Sequence, residues 1–142
     1  MSDATLTLDI VLPDRLMLSR PVALAVVPGA LGDLGVLPRH SRLVSSLRPG
    51  TVQVFETRGG KPQACIFISG GLVDISGEAC VVLADDAQDV SELAARDLAK
   101  EAANLKVRLD EAQEDEARVR LSAALELNHA QAQAVTRYAS AA

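Results

Sequence analysis

All nine glycines and all six prolines of this 142-residue chain lie within residues 1–77, and none follows Gly77. Glycine and proline are the strongest local punctuators, so a chain that crowds them into one part and drops them in the rest reads as two structural units. Charge divides at nearly the same place. Residues 1–84 hold seven acids and seven bases, and residues 85–142 hold twelve acids and seven bases, which accounts for the whole net charge of −5. Two structural units follow, a β unit over 1–87 and a helical unit over 88–142.

The first unit begins with period-2 alternation in "TLTLDIVL", where Leu6, Leu8 and Ile10 share one side and Thr5, Thr7 and Asp9 the other. Further short runs follow, "VALAVV", "RLVSSL", "TVQVFET", "ACIFIS", "LVDI" and "ACVVLA". Pro13-Asp14, Pro28-Gly29, Pro49-Gly50, Gly59-Gly60, Gly70-Gly71 and Ser76-Gly77 punctuate them. Strands this short and evenly spaced predict an N-terminal all-β sandwich or flattened barrel. "FETRGGKPQA" predicts a hairpin with Gly59-Gly60 in a tight turn. The stretch 32–40, "GDLGVLPRH", reads as a loop that carries three apolar residues, Leu34, Val36 and Leu37, which a mere turn does not need.

The second unit predicts an antiparallel two-helix hairpin. "DVSE" at 89–92 places an acid at an N-cap with Glu92 three residues on, as in a capping box. Leu93, Ala94, Leu98, Ala102, Leu105 and Leu109 then recur at helical spacing, so one first helix of about 20 residues and ~30 Å is expected. A polar turn is expected near 110–116. A second helix follows, with Leu121, Leu125, Asn128, Ala132 and Val135 on one side. Alanine-rich stripes bury little area at ~25 cal/mol per Å². Such a hairpin is marginal alone and has to lean on the β unit or on a partner.

Chemistry is sparse. Net acidity and a single Tyr, two Phe and no Trp argue against nucleic-acid binding. No apolar run reaches the ~18 residues of a membrane span, and the N-terminus shows no signal-peptide pattern. Cys65 and Cys80 sit in strand-like apolar runs and read as buried small hydrophobes. His40 and His129 lack a supporting nucleophile motif. Asp85-Asp86 read as turn residues, and neither a phosphate loop nor a zinc cluster is present. The expectation is a non-catalytic binding or structural component, with no cofactor and no metal.

"GDLGVLPRHSRLVSSLRPG" (32–50), "FISGGLVDISGEACVVLADDA" (67–87) and the opening "LTLDIVLPDRLMLS" together resemble the epsilon subunit of the F-type ATP synthase. That family shows Gly-acid-Leu-Gly, an aliphatic residue, Pro and His in this order, then a Pro-Gly turn, Ser-Gly-Gly and Leu-Ala-Asp. The resemblance implies a β-sandwich followed by two helices. It implies a place at the foot of the central rotor stalk, between the gamma subunit and the polar loops of the membrane c-ring. Membrane association then comes through the complex alone, on the cytoplasmic face of the inner membrane. Carried onto this chain, it assigns partner contacts to Asp33, Leu34, Gly35, Arg39, His40, Arg42 and Ser45. Asp33 would meet basic c-ring loops.

In many family members the helical hairpin also extends along gamma to the alpha and beta subunits and blocks ATP hydrolysis. The basic residues available for that here are Arg118, Arg120 and Arg137, with Glu126 and Asn128 interrupting the face. Some members bind ATP through Ile/Leu-Asp-x-x-Arg-Ala at the first helix. Here Ser91 and Ala94 stand at the Asp and Arg positions, so tight ATP binding is not expected. The rival reading is a free-standing nucleotide sensor whose hairpin closes on its ligand.

Overall fold

The computed structural model describes residues 4–139. In chain order the strands are β1 (Leu6–Val11), β2 (Leu16–Val22), β3 (Leu24–Gly29), β4 (Gly32–Val36), β5 (Leu43–Leu47), β6 (Gly50–Phe55), β7 (Ala64–Ile68), β8 (Gly71–Ile75), β9 (Ala79–Ala84) and β10 (Ala87–Asp89). The helices are α1 (Val90–Ala94), α2 (Leu98–Glu111) and α3 (Asp115–Tyr138).

The strands form one sheet in the order β10-β7-β6-β3-β5-β8-β9-β1-β2, with β4 on the free side of β3. Three stretches of chain each contribute to both halves of it. Residues 43–55 run as β5 and β6 with a bend at Arg48-Pro49. Residues 64–75 run as β7 and β8 with a bend at Ser69-Gly70, and residues 79–89 as β9 and β10 with a bend at Asp85-Asp86. The bends are in register: Leu47, Gly71 and Ala84 pair on one side of the line, and Gly50, Ile68 and Ala87 on the other. The sheet therefore folds over along one line and closes on a single core, which includes Leu6, Leu8, Ile10, Val27, Val52, Ile68, Ile75 and Val82. This is the flattened barrel expected from strand spacing.

The line of bends depends on glycine at one place above all. Gly71 has φ +145, and a Cβ built there would lie far inside van der Waals contact with the Leu83 carbonyl oxygen.

β1 follows its alternation, with Leu6, Leu8 and Ile10 buried. β7 is different. Ile66 and Ile68 face the main core, while Cys65 and Phe67 face a second cluster with Val90, Leu93 and Ala134 of the helices. A strand covered on both faces reads as a continuous apolar run, which is why "ACIFI" shows no alternation. The hairpin thus leans on the β unit, through α1 and α3 over β6 and β7.

Four expectations need correction. Residues 32–36 are a strand and not a loop: β4 pairs antiparallel with β3, and Val36 is fully buried. β2 and β10 are further strands outside the sequence reading. β2 is an edge strand, where Pro21 costs no ladder bond. The β6–β7 hairpin is closed by residues 56–63 and not by a tight two-residue turn, although Gly59 does take a positive φ of 75.

The first helix is two helices. Asp89 caps α1, accepting from Ser91 N–H at 2.9 Å. A second cap interrupts the run, where Asp97 accepts from Lys100 N–H at 3.0 Å. Arg96 holds the corner, donating to Glu101 and to Gln88 Oε1. The α2–α3 turn needs no glycine, because Arg118 reaches back to donate to the Leu109 and Ala112 carbonyls at 3.0 and 3.1 Å. Asn128 lies buried in the helix–helix face, with its amide nitrogen donating to Leu98 O at 3.1 Å.

Candidate functional site

The candidate residues on the 33–45 stretch do not form one patch. β4 runs away from the line of bends, so Asp33 lies beside that line while Arg39, His40 and Arg42 lie beyond the strand's far end. The four-residue rise from Asp33 to Leu37 alone separates them by ~13 Å.

Asp33 is engaged within the chain. Its Oδ1 accepts from Arg48 Nη2 at 2.6 Å, and Arg48 Nη1 donates to Gly29 O at 2.5 Å. Both side chains are somewhat under half exposed. The pair lines a cleft of about 140 Å³ shared with Thr51, Gln133, Arg137 and Tyr138, where the end of α3 meets the bend. Leu34 is partly buried and packs against the core. Gly35 is exposed and has room for a Cβ, with Leu24 Cδ1 3.9 Å away. Ser45 is half-buried on the inner side of β5 with Leu43 and Leu47, and its hydroxyl donates to Ser46 O at 3.1 Å.

At the other end, Leu37-Pro38-Arg39-His40 forms a β-turn closed by His40 N–H donating to Leu37 O at 3.1 Å. Proline at the second position and a positive φ of 69 at Arg39 are the signature of a type II turn. Arg39 N–H also donates to Gly77 O at 2.8 Å, which ties the turn to the β8–β9 hairpin. His40 Nδ1 lies 2.6 Å from Ser41 O. Among the described residues no carboxylate forms a salt bridge with Arg39 or Arg42. An arginine in the left-handed region is strained by about 1–2 kcal/mol. Arg39→Gly is therefore expected to stabilise the chain by about 0.5–1 kcal/mol, after the entropic cost of glycine. The measurement is a urea midpoint that rises at unchanged slope; a lower midpoint would mean that the arginine side chain holds the turn.

Sequence reasoning missed a second surface. On the outer face of the β5-β8-β9-β1-β2 half, Leu72 pairs with Leu83, Leu83 with Val11, and Val11 with Leu16. Leu16 is 57% exposed, and Leu72 and Leu83 are each 46% exposed. Ser46 pairs with Leu72 on the far side. Ala30 N–H donates to Ser46 O at 2.9 Å, which holds the β3–β4 tip, with its 105% exposed Leu31, beside β5 and past the polar Ser46 from Leu72. From β5 to β2 the row spans ~19 Å. The next row carries Val44, Asp74, Val81 and Asp9. A large exposed apolar stripe with a polar rim marks an interaction surface. The sequence signal for it was an apolar outward residue on β1, β2, β8 and β9, and the register that aligns them is long-range.

The first helix offers little to a nucleotide. Ser91 is committed to Asp89, donating from its hydroxyl at 2.7 Å. Arg96 is held by Glu101, whose hydrogen bond chiefly raises its pKa further. Burial, then Asp89, raises the Cys65 thiol, and burial, then Asp9, pushes Cys80 up to about 12. Both are poor nucleophiles in this fold.

Known proteins share this architecture. Residues 5–90 match the family described as the beta-sandwich domain of the ATP synthase delta/epsilon chain. An ATP synthase epsilon chain of Rhodospirillum rubrum is 44% identical over 89 residues, which cover 63% of this chain and 65% of that one. The epsilon chain of Rhodospirillum centenum is 35% identical over 113 residues, 78% of this chain and 77% of that one. Among solved structures, a chain in the Euglena gracilis mitochondrial ATP synthase (OSCP, F1 and c-ring) aligns with a TM-score of 0.78 at 26% identity, covering 93% of this chain and 82% of that one. A chain from the Tetrahymena thermophila mitochondrial ATP synthase central stalk and c-ring shares the fold, with a TM-score of 0.64 at 12% identity over 95% of this chain and 99% of that one. Its bent sheet and its sequence from the first strand to the first helix agree with one group throughout, and the chain belongs to the ATP synthase epsilon-chain family.

Proposed function

We propose that this chain is a non-catalytic subunit of the central rotor stalk of a proton-translocating F-type ATP synthase, joining the gamma subunit to the c-ring. The observation that carries the reading is the exposed apolar row from Leu72 to Leu16, on a half of the sheet that the hairpin leaves bare. A part that transmits torque needs a stiff platform and broad, preorganised contacts, and a sheet folded over a single core supplies both. Residues 1–87 form the rotor-binding unit. The row seats gamma, and the 33–45 stretch faces the ring with Gly35, Arg39, His40 and Arg42 at its surface. Leu34 and Ser45 support it from within. No described helix is long and apolar enough to cross a membrane, so the chain meets the membrane through the complex. Residues 88–142 form a regulatory unit that contacts the alpha and beta subunits when it leaves β7.

The test is gel filtration of this chain with the gamma-containing catalytic head from its own source, stripped of its native small stalk subunit. Co-elution at one copy per head is expected. Separate elution at micromolar protein would refute the rotor reading.

A further inference from the structure

The β3–β4 tip is held more firmly than a surface turn requires. Ala30 N–H donates to Ser46 O at 2.9 Å, and Arg48 N–H donates to Pro28 O at 2.9 Å. The Arg48 guanidinium then bridges the two strands of the hairpin, bonding Gly29 O on one and Asp33 on the other. Gly29 could not carry a side chain there, because its Cβ would lie 2.6 Å from Gly32 O. The residue that this scaffold presents is Leu31, the most exposed large hydrophobic residue described. Turn positions favour residues that bond to the backbone or to water, and leucine does neither. A lone exposed leucine needs no explanation. This one stands at a hairpin tip beside β5, across Ser46 from the apolar stripe, on backbone held by three hydrogen bonds and braced by the Arg48–Asp33 pair.

The charge at the tip is already spent. Asp33 and Arg48 neutralise each other, so a partner meeting this tip meets an apolar knob and not a free carboxylate. Acids lie in the row beside the stripe, at Asp9 and Asp74. A second copy of this chain would set the same acids face to face, so the fitting partner is a different protein, apolar along its contact and basic at its rim.

We propose that Leu31 is an anchor residue that inserts into an apolar socket of the rotor partner, and that Arg48 and Asp33 are positioning residues that fix where it stands. This rests on the rotor reading above. It moves the role of Asp33 from charge contact to clamp.

The experiment measures the Kd of the full chain for its own rotor, gamma with the c-ring in detergent, stripped of this subunit. Leu31→Ser is expected to weaken binding about 10- to 100-fold, the loss of one buried leucine side chain. Its circular dichroism melting curve should be unchanged, because Leu31 touches no core. Asp33→Asn keeps an acceptor for Arg48 and should stay within about threefold, whereas Arg48→Met should lose about tenfold. The double variant L31S/R48M should bind no worse than L31S, as required if the clamp acts only through the leucine. Wild-type binding with L31S at wild-type affinity would overturn the anchor and leave the rotor reading intact. A tenfold loss in D33N would return the charge to the contact and overturn the clamp. Failure of the wild-type chain to bind would overturn the rotor reading, and the anchor with it.

Discussion

Gly71→Ala is expected to cost at least about 3 kcal/mol and to leave little soluble folded protein. Two effects add. The backbone at φ +145 is strained for any L side chain, and the new methyl group would overlap the Leu83 carbonyl oxygen. That carbonyl cannot retreat, because Leu83 lies in β9, paired with both β8 and β1. A domain of this size has about 5–15 kcal/mol in hand, so the loss is a large share of it. Urea unfolding followed by circular dichroism measures it. Gly35→Ala is the matched control: Gly35 also lies in a strand, has open space around it, and should change stability by under about 1 kcal/mol. Equal effects at the two positions would show that the bend between β7 and β8 is not what glycine is needed for.

Leu93→Ala should free the helices from the sheet without unfolding the sandwich. Leu93 is fully buried in the small cluster between α1 and β7, and truncating such a leucine costs about 2–5 kcal/mol. The chain contains a reporter for this event. Cys65 lies under the helices and is 1% exposed, while Cys80 lies in the main core. Thiol labelling of Cys65 should accelerate at least about thirtyfold, the lower bound of that cost at 1.4 kcal/mol per decade. Cys80 should stay slow in both proteins, and its thiol at about 12 reinforces its protection.

The pH dependence has a definite sign. Burial, to which the docked helices contribute, is the larger cause that raises the Cys65 thiol above its ordinary value; Asp89 of the neighbouring strand adds to it whether or not the helices are docked. The docked state therefore holds a proton that the undocked state releases. Docking is strongest below the ordinary thiol range and weakens as pH rises through it. Unchanged Cys65 labelling in L93A would show that the helices are held elsewhere, and parallel acceleration of Cys80 would mean global unfolding.

Much of this protein is legible in its amino-acid sequence alone. Glycine and proline stop at Gly77, the apolar β-branched run of β9 still forms a strand beyond it, and helices begin at Val90, where the cap and helical spacing take over. The phase of β1 and the cap at Asp89 follow from neighbours in sequence, since alternation and capping are local. The motifs of 32–50 and 67–87 identified the family, because they record turns and close approaches that few residues tolerate.

What the tertiary structure decided is which distant residues meet. Nothing near Asp33 in sequence says that Arg48, fifteen residues on, takes up its charge. Residues 32–36 became a strand because β3 offered a free edge, and the loop reading failed for want of that partner. Val11, Leu83 and Leu72 each looked like an ordinary strand residue, and Leu16 lay outside every strand read from the sequence. They form one stripe only because parallel pairing of β1 with β9 brings residues some seventy positions apart into register. Period tells which face of a strand a side chain occupies; only long-range pairing tells what stands beside it, and it is that second fact which makes a binding surface.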